Sequence, residues 1–238
     1  MANSSSFTIY GFPMSQPSRA VEWLAMLLKI DYDYRVVDLR ASEQHSDWFK
    51  ALNPFGKVPV IQHGDKVIIE SHAIMEYMVN TFGASSRVRE AYLPNANKQF
   101  KQRYNEYLHW HHSNVRQPFA TLVFFVCLGP ILNLNISQAQ LKQTHKEAMK
   151  ALRMIERWLT KMVKSGQFLA GTNTPTIADL SCCCEFDQLF LLPKKYQPTD
   201  LQTKYPAFFK WYNLMTSLSG HAKVYQGMID SGKALAKL

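Results

Sequence analysis

Val58-Pro59-Val60-Ile61-Gln62-His63-Gly64-Asp65-Lys66-Val67-Ile68-Ile69 is the stretch of sequence that decides the fold. Residues 58–61 and 67–69 are short apolar runs rich in β-branched side chains, which are typical of β-strands. Between them, His63-Gly64-Asp65 predicts a tight turn of the Asp/Gly type. This part of the chain therefore predicts a β-hairpin with two antiparallel strands.

The residues around this hairpin alternate between strand and helix patterns. Residues 7–12 and 32–39 predict two strands, and residues 16–29 carry apolar side chains at helical spacing between them. Residues 46–52 predict a short helix before the hairpin, and residues 71–82 predict a longer one after it. Because strand–helix–strand connections are right-handed, we expect the first two strands to be parallel.

The second half of the chain has helical periodicity throughout. Residues 137–140 and 176–179 are capping-box patterns that predict helix starts, and Gly166 predicts a helix end. The polar stretch between the two halves predicts a linker. We therefore predict three segments, which are an α/β domain over residues 1–83, a linker over residues 84–95 and an all-helical domain over residues 96–238.

Composition excludes several classes of protein. Of the 238 residues 47% are hydrophobic and 19% are charged, so the chain can bury a substantial core. Four cysteines are too few for a disulfide scaffold. Three of them, Cys182, Cys183 and Cys184, are consecutive, so their side chains point in different directions and cannot share one metal ion. The longest apolar stretch, residues 118–132, falls short of the ~20 residues of a membrane span. With a polar N-terminal segment, these features predict a cytoplasmic protein with no metal site.

The net charge of +9 is unevenly divided. Residues 1–83 carry −2 and residues 84–238 carry +11. Along residues 142–164 the basic side chains spread around a polar face without interleaved aromatic residues, which favours a solvated surface over a nucleic-acid site. His109 and His112 share a helix face but have no third ligand nearby. We expect no nucleic-acid partner, no membrane partner and no metal.

Ser15 lies where the first strand meets the first helix. In a thioredoxin-like domain this junction holds a redox Cys-x-x-Cys pair, but here Ser15 and Ser18 take those positions. A hydroxyl at a helix N-terminus can donate a hydrogen bond to an anion that the helix dipole also favours. The alternative is that Ser15 is an ordinary N-cap.

Two further segments have features of a peptide-binding site. A cis bond between Val58 and Pro59 would leave the Val58 amide and carbonyl free to pair with an extended peptide, unless Pro59 is only an edge-strand proline. Glu70 can bind an ammonium group, and the Ser71 hydroxyl with the first-turn amides can bind a carboxylate, unless they are an ordinary cap. Together with Ser15, these residues predict a site for a small zwitterionic peptide with its sulfur at Ser15.

The sequence resembles the cytosolic glutathione S-transferases, and most closely their theta class, over essentially its whole length. The matching stretches are Met14-Ser-Gln-Pro-Ser-Arg-Ala-Val21, Val36-Val-Asp-Leu39, Asn53-Pro-Phe-Gly-Lys-Val-Pro-Val60, Glu70-Ser-His-Ala-Ile74, Tyr104-Asn-Glu-Tyr-Leu-His-Trp-His-His112 with Arg116, and Ala170-Gly171 through Thr176-Ile-Ala-Asp-Leu180. The resemblance implies a thioredoxin-like α/β N-terminal domain, an all-α C-terminal domain, a homodimer, and glutathione as co-substrate without a further cofactor.

The resemblance also implies roles for individual residues. Ser15 resembles the catalytic serine, and the residues that would hold glutathione are Gln16, Gln44, His45, Lys57, Val58, Glu70 and Ser71. Relative to the Asn-Pro pair (Asn53-Pro54 here), theta enzymes usually place their Gln-His pair one position earlier than Gln44-His45. Either the helix shifts by one residue or Gln44 takes the place of the histidine. The residues expected at the electrophile pocket are Tyr107, His111 and Arg116.

Three alternatives remain at this point. Tyr10 is the rival to Ser15, because other classes of this family use an early tyrosine. The same fold also serves as a non-catalytic binding module, so the fold alone does not imply the transferase reaction or its possible dehalogenase and hydroperoxide-reductase side activities. Finally, Ala236-Lys237-Leu238 resembles a peroxisomal import tripeptide, which makes the peroxisome the alternative to the cytoplasm.

Overall fold

A computed structural model describes residues 6–163 and 167–235 and divides the chain into two units. The first unit contains residues up to Arg89 together with Ser219–Ala234, and the second contains Glu90–Leu218. This division differs from the predicted boundaries, because the last helix of the chain belongs to the first unit. The predicted linker, residues 84–95, also contains a short helix, α4 (Ser86–Tyr92).

The first unit is built on a four-stranded mixed sheet, as predicted. Its strands are β1 (Phe7–Gly11), β2 (Asp33–Val36), β3 (Val60–His63) and β4 (Lys66–Ile69), in the spatial order β2-β1-β3-β4. β1 and β2 are parallel, whereas β3 is antiparallel to both β1 and β4. The predicted hairpin and the predicted parallel pair are both confirmed.

Helices cover this sheet. They are α1 (Gln16–Leu27), α2 (Asp47–Leu52) and α3 (Ser71–Phe82), and α1 and α3 pack against each other. The helix α11 (His221–Leu235) joins them because Trp23 of α1 is fully buried against its start. The Trp23 indole donates a hydrogen bond to the Ser219 carbonyl at 2.8 Å, and its ring lies 5.1 Å from that of His221.

The second unit is helical. Its helices are α5 (Lys98–His111), α6 (Gln117–Val123), α7 (Gln138–Arg157), α8 (Ile177–Asp187), α9 (Leu201–Lys204) and α10 (Pro206–Thr216). Short π-helical turns follow α5, α6 and α7, at His112–Arg116, Phe124–Leu128 and Trp158–Met162. Every residue of α8 is buried, so this helix forms the centre of the unit.

Local helix-start signals agree with the sequence. Ser137 and Gln140 form a capping box at the start of α7, and Thr176 and Asp179 form one at the start of α8. The predicted helix end at Gly166 lies outside the described residues. Cys182, Cys183 and Cys184 are all buried and reduced. In the described part of the chain, no helix has the length and apolarity that crossing a bilayer requires.

Candidate active site

The sheet register brings three separate segments to one edge of the first unit. Tyr10 pairs with Val60, and Val60 pairs with Ile69, so these three residues form one row across β1, β3 and β4. Beyond this row, the loop that leads to Ser15 follows β1, Val58 lies just before β3, and Glu70 directly follows β4. Since neighbouring strands are about 4.8 Å apart, the three strand ends lie within about 10 Å of one another. This distance matches the scale of an extended tripeptide.

Ser15 is the N-cap residue of α1. Its backbone is extended (φ −73°, ψ 119°), its amide donates to the Phe12 carbonyl at 2.8 Å, and its side chain makes no capping hydrogen bond. The hydroxyl of this half-buried residue is therefore available to a ligand at the positive end of a 12-residue helix. Gln16, the first residue of α1, is only 6% exposed.

Arg19 braces the loop before Ser15, although the sequence patterns did not identify it. It is fully buried, and its guanidinium donates to the carbonyls of Met14 at 2.9 Å and Pro13 at 3.2 Å. Its amide donates to the Ser15 carbonyl at 3.0 Å. Arg19 thus ties down the backbone on both sides of Ser15 and puts a buried positive charge next to it. The signal available in the sequence was an arginine four residues after the serine, a spacing that brings both to the same side of the helix start.

The Val58–Pro59 bond is cis, which is one of the two alternatives that the sequence offered for this proline. Asn53 orients the segment before it: this side chain, 2% exposed, donates to the Lys57 carbonyl at 2.7 Å and accepts from the Phe55 amide at 3.1 Å. Lys57 itself is exposed. Sequence patterns identified Asn53 only as a helix end, yet the Asn-Pro-x-Gly turn that it closes is a recognisable signal for this role.

Gln44 and His45 lie in a 3₁₀ turn, Glu43–His45, close to Gly56 in the turn before β3. A side chain at Gly56 would meet the Gln44 carbonyl at 2.9 Å and the His45 Nδ1 at 3.0 Å, and Gly56 has a positive φ of 60°. Only glycine suits this position. The Gln44 Oε1 is buried without a hydrogen bond, while the His45 side chain is exposed. The fold therefore brings both residues close to Gly56, the neighbour of Lys57 in the chain.

Glu70 and Ser71 begin α3 with an unusual backbone. Glu70 has φ 68° and ψ 112°, which a non-glycine residue rarely adopts, and its side chain forms no cap to the helix. The residue is exposed at the sheet edge, and Ser71 is half-buried. Backbone strain of this kind is often found at functional sites.

Tyr10, the rival to Ser15, lies in the core of the first unit. It is 7% exposed and packs with Val37, Phe49 and Val60. Its hydroxyl donates to the Gln62 Oε1 at 3.1 Å, so the hydroxyl is engaged across the sheet. Ser15 has the freer hydroxyl of the two.

Tyr107 and His111 belong to a buried polar network in the second unit. Tyr107 is fully buried and its hydroxyl lies 3.1 Å from His111 Nδ1, while His111 Nε2 is 3.7 Å from the Glu185 carboxylate. Burial raises the pKa of Tyr107 well above its usual value. Tyr107 and His111 are 0% and 2% exposed, and their place at an electrophile pocket stays a prediction.

Arg116 is the exposed member of that network. Its guanidinium donates to Glu185 Oε1 at 2.9 Å, and its side chain is 32% exposed, whereas that of Glu185 is 2% exposed. Burial by itself would raise the pKa of Glu185, but the charge of Arg116 and the contact with His111 hold it below its ordinary value. Glu185 is thus a buried carboxylate that stays ionised, and no sequence pattern had identified it.

Comparison with known proteins agrees with this fold. The family model of the glutathione S-transferase N-terminal domain matches residues 5–80, and that of the C-terminal domain matches residues 116–218. Glutathione S-transferase T1 of Arabidopsis thaliana is 36% identical over 226 residues, covering 95% of this chain and 83% of its own length. The chain belongs to the glutathione S-transferase family, and it is a transferase of that family.

Its class follows from two further similarities. Glutathione S-transferase theta-2 of Rattus norvegicus is 32% identical over 167 residues, which is 70% of this chain and 65% of the relative. The human theta-class glutathione transferase, solved in complex with the glutathione conjugate of 1-menaphthyl sulfate, has a TM-score of 0.84 and 25% identity, covering 98% of this chain and 91% of that one. The chain spans only 31% of the length of two further Arabidopsis thaliana relatives, glutathione S-transferases T3 and T2. The chain is theta-like.

Proposed function

We propose that this protein joins glutathione to small hydrophobic electrophiles, and that Ser15 activates the glutathione thiol. The observation that carries the proposal is the row formed by Tyr10, Val60 and Ile69, which gathers Ser15, Val58 and Glu70 at one sheet edge. The opposite end of the described sheet does not bring together a helix-start hydroxyl like that of Ser15, a main-chain segment like that of Val58 and a strained acidic residue like Glu70.

Each end of glutathione has a matching group in this arrangement. Glu70 would bind the γ-glutamyl ammonium, and Ser71 with the first-turn amides of α3 would bind its carboxylate. The Val58 main chain makes no hydrogen bond with the described residues, so it can pair with the peptide backbone of glutathione. Lys57, with Gln44 or His45, would hold the glycyl end, and Gln16 would support the site beside Ser15.

The chemistry depends on the thiolate form of glutathione. A free thiol has a pKa of ~8.5, so only a few per cent is ionised at neutral pH. Lowering this pKa by ~2 units requires ~2.7 kcal/mol of preferential stabilisation of the anion. One hydroxyl hydrogen bond to a charged group supplies roughly 1.5–3 kcal/mol. Ser15, with the helix dipole and Arg19, is sufficient for this effect as a hydrogen-bond donor.

In the reaction, the thiolate sulfur attacks the electrophilic carbon and forms a thioether. The leaving group departs with the bonding electron pair, and the thiol proton has already passed to solvent. Arg116, with its orientation set by Glu185, would contact the electrophile. Dehalogenation and hydroperoxide reduction are side activities that the same thiolate would support. We further propose a cytoplasmic homodimer that uses glutathione as co-substrate and no further cofactor.

Retention on immobilised glutathione, followed by conjugation assays with halogenated and allylic electrophiles, tests this function. The proposal requires both retention and thioether formation that depends on glutathione. Retention without any conjugation across the panel would favour the alternative of a binding module. Failure of both would overturn the assignment of the site.

A further inference from the structure

Six cationic side chains lie along one face of α7 and the turn that follows it. This basic stripe consists of Lys142, Lys146, Lys150, Arg153, Arg157 and Lys161, and all six residues are exposed. At 3.6 residues per turn, the five that lie in α7 fall within an arc of about 80° and extend over about 22 Å. The sequence alone had suggested that these charges spread around the polar face of the helix. In the structure, the exposed basic residues of α7 lie together on one narrow face.

Around the basic stripe, the exposed residues that the structure describes on α7 and the turn after it include no acid. Between residues 142 and 161 the other exposed side chains are Gln143 and Thr160. The two acids in this range are half-buried and engaged elsewhere: Glu147 accepts from Gln143, and Glu156 accepts from the first amides of α10 at 2.8 and 3.2 Å. None of the six cations forms an ion pair with a residue that the structure describes.

This arrangement opposes the stability of the helix. Successive members of the basic stripe are three or four residues apart, the spacing at which like charges on a helix repel one another. Soluble surfaces usually interleave charges of both signs. The opposite face of α7 is buried through Ala148, Ala151, Leu152 and Ile155, so the helix cannot rotate to disperse the charges. An anionic partner would remove the repulsion.

The shape and chemistry of the basic stripe favour a flat partner. Its exposed residues include no aromatic side chain, so they offer no platform for stacked bases. A strand of duplex DNA completes a turn in about 35 Å and therefore curves away from a straight row of about 22 Å. A plane of charged headgroups can contact all six cations at once, and lysine-rich helix faces are typical of attachment to anionic lipid.

We propose that the basic stripe docks this protein onto the surface of bilayers that contain anionic phospholipid. Attachment is electrostatic and lies outside the hydrocarbon region, which is compatible with the absence of a bilayer-spanning helix in the described residues. The proposal replaces the sequence-based expectation of no membrane partner. It does not depend on the glutathione site, and it would place the enzyme beside the hydrophobic compounds that partition into bilayers.

Co-sedimentation of the full chain with vesicles tests this proposal. The vesicles are phosphatidylcholine alone or phosphatidylcholine with phosphatidylserine, at low salt and at about 0.5 M NaCl, where the Debye length falls below about 5 Å. The stripe variant is Lys146→Glu/Lys150→Glu/Arg153→Glu. The matched control, Lys98→Glu/Lys101→Glu/Lys204→Glu, makes the same change in net charge at exposed positions of the same unit.

We expect the unaltered protein to bind only the vesicles with phosphatidylserine, and to be released by high salt. The stripe variant should bind at least about 100-fold more weakly, while the control changes by less than about 10-fold. All three proteins should conjugate glutathione equally. If the stripe variant unfolds, Lys146→Gln/Lys150→Gln/Arg153→Gln takes its place and should still lose at least about 10-fold.

Several results would overturn the proposal. They are equal binding to neutral vesicles, equal losses in the stripe variant and the control, no binding to either vesicle, and tighter binding to duplex DNA or RNA than to phosphatidylserine vesicles at the same salt. The last result would assign the basic stripe to a nucleic acid instead.

Discussion

Glu185 and Arg116 form an ion pair that runs from the interior of the helical unit to its surface. The Arg116 guanidinium donates to Glu185 Oε1 at 2.9 Å, from an arginine side chain 32% exposed to a glutamate side chain 2% exposed. A buried carboxylate needs such a partner, because an unpaired charge in the interior is strongly destabilising. The same ion pair therefore stabilises the second unit and fixes the orientation of the Arg116 guanidinium.

Arg116→Ala should destabilise the protein by about 3 kcal/mol, because it leaves the buried Glu185 carboxylate with His111, 3.7 Å away, as its remaining described partner. The pKa of Glu185 is held below its ordinary value of 4.5 in the folded protein, so the pair stabilises the fold fully above pH 4.5. That stabilisation is lost as the pH falls through the folded-state pKa. Urea unfolding should thus show a large difference between the two proteins at neutral pH, shrinking below pH 4.5.

A surface pair provides the control for this comparison. Arg35 and Asp33 are 2.9 Å apart, with side chains 62% and 60% exposed. Arg35→Ala should leave the free energy of unfolding almost unchanged at every pH, because exposed ion pairs contribute little to stability. Equal costs for Arg35→Ala and Arg116→Ala would contradict the role assigned to Glu185.

Ser15→Ala should lower the rate of conjugation by roughly 30-fold while glutathione still binds, because the variant loses about 2 kcal/mol of thiolate stabilisation. The pH dependence of kcat/KM should move to higher pH by one to two units, roughly, as the bound thiol becomes less acidic. Steady-state kinetics across pH would measure both effects. Tyr10→Phe is the matched control and should change the rate by less than about 3-fold, since the Tyr10 hydroxyl bonds to Gln62. Unchanged turnover in Ser15→Ala would remove Ser15 from the mechanism.

Arg19→Lys should reduce kcat more than it changes the affinity for glutathione. One guanidinium nitrogen of Arg19, Nη1, donates to the carbonyls of both Pro13 and Met14, and a lysine keeps the positive charge but is too short to place a donor at that position. We expect a loss of about 2 kcal/mol in stability and roughly a 10-fold lower kcat. The exposed Arg35, paired with Asp33, serves as control, because Arg35→Lys should leave both quantities unchanged. Normal kcat in a folded Arg19→Lys protein would show that the Ser15 loop does not need this brace.

Asn53→Ala should weaken glutathione binding roughly 10-fold with a smaller effect on kcat, because Asn53 orients the carbonyl of Lys57 and not the sulfur. Two buried hydrogen bonds are lost, so stability should fall by about 2 kcal/mol. Glutathione affinity by calorimetry, compared with the exposed Asn80→Ala on α3, is the measurement. A drop in kcat with unchanged affinity would contradict the assignment.

Most of the first unit could be predicted from sequence, since its signals are local. The hairpin turn at residues 63–65, the two helix starts at Gln16 and Ser71 and the cis Val58–Pro59 bond each follow from a few neighbouring residues. The second unit was predicted as helical for the same reason. Its internal order could not be predicted, because the apolar faces of several helices are similar and only packing selects their partners.

The sequence by itself determined which chemical groups are present. They are a serine at a helix start, a Val58 amide and carbonyl that can pair with a peptide, and a carboxylate and a hydroxyl at Glu70 and Ser71. Tertiary structure alone decided which groups meet. Register across the sheet joined the three segments, burial paired Glu185 with Arg116 over 69 positions of the chain, and packing placed α11 in the first unit. The physical reason is that hydrogen-bonding type and helix propensity are local properties, whereas burial and register depend on contacts between distant residues.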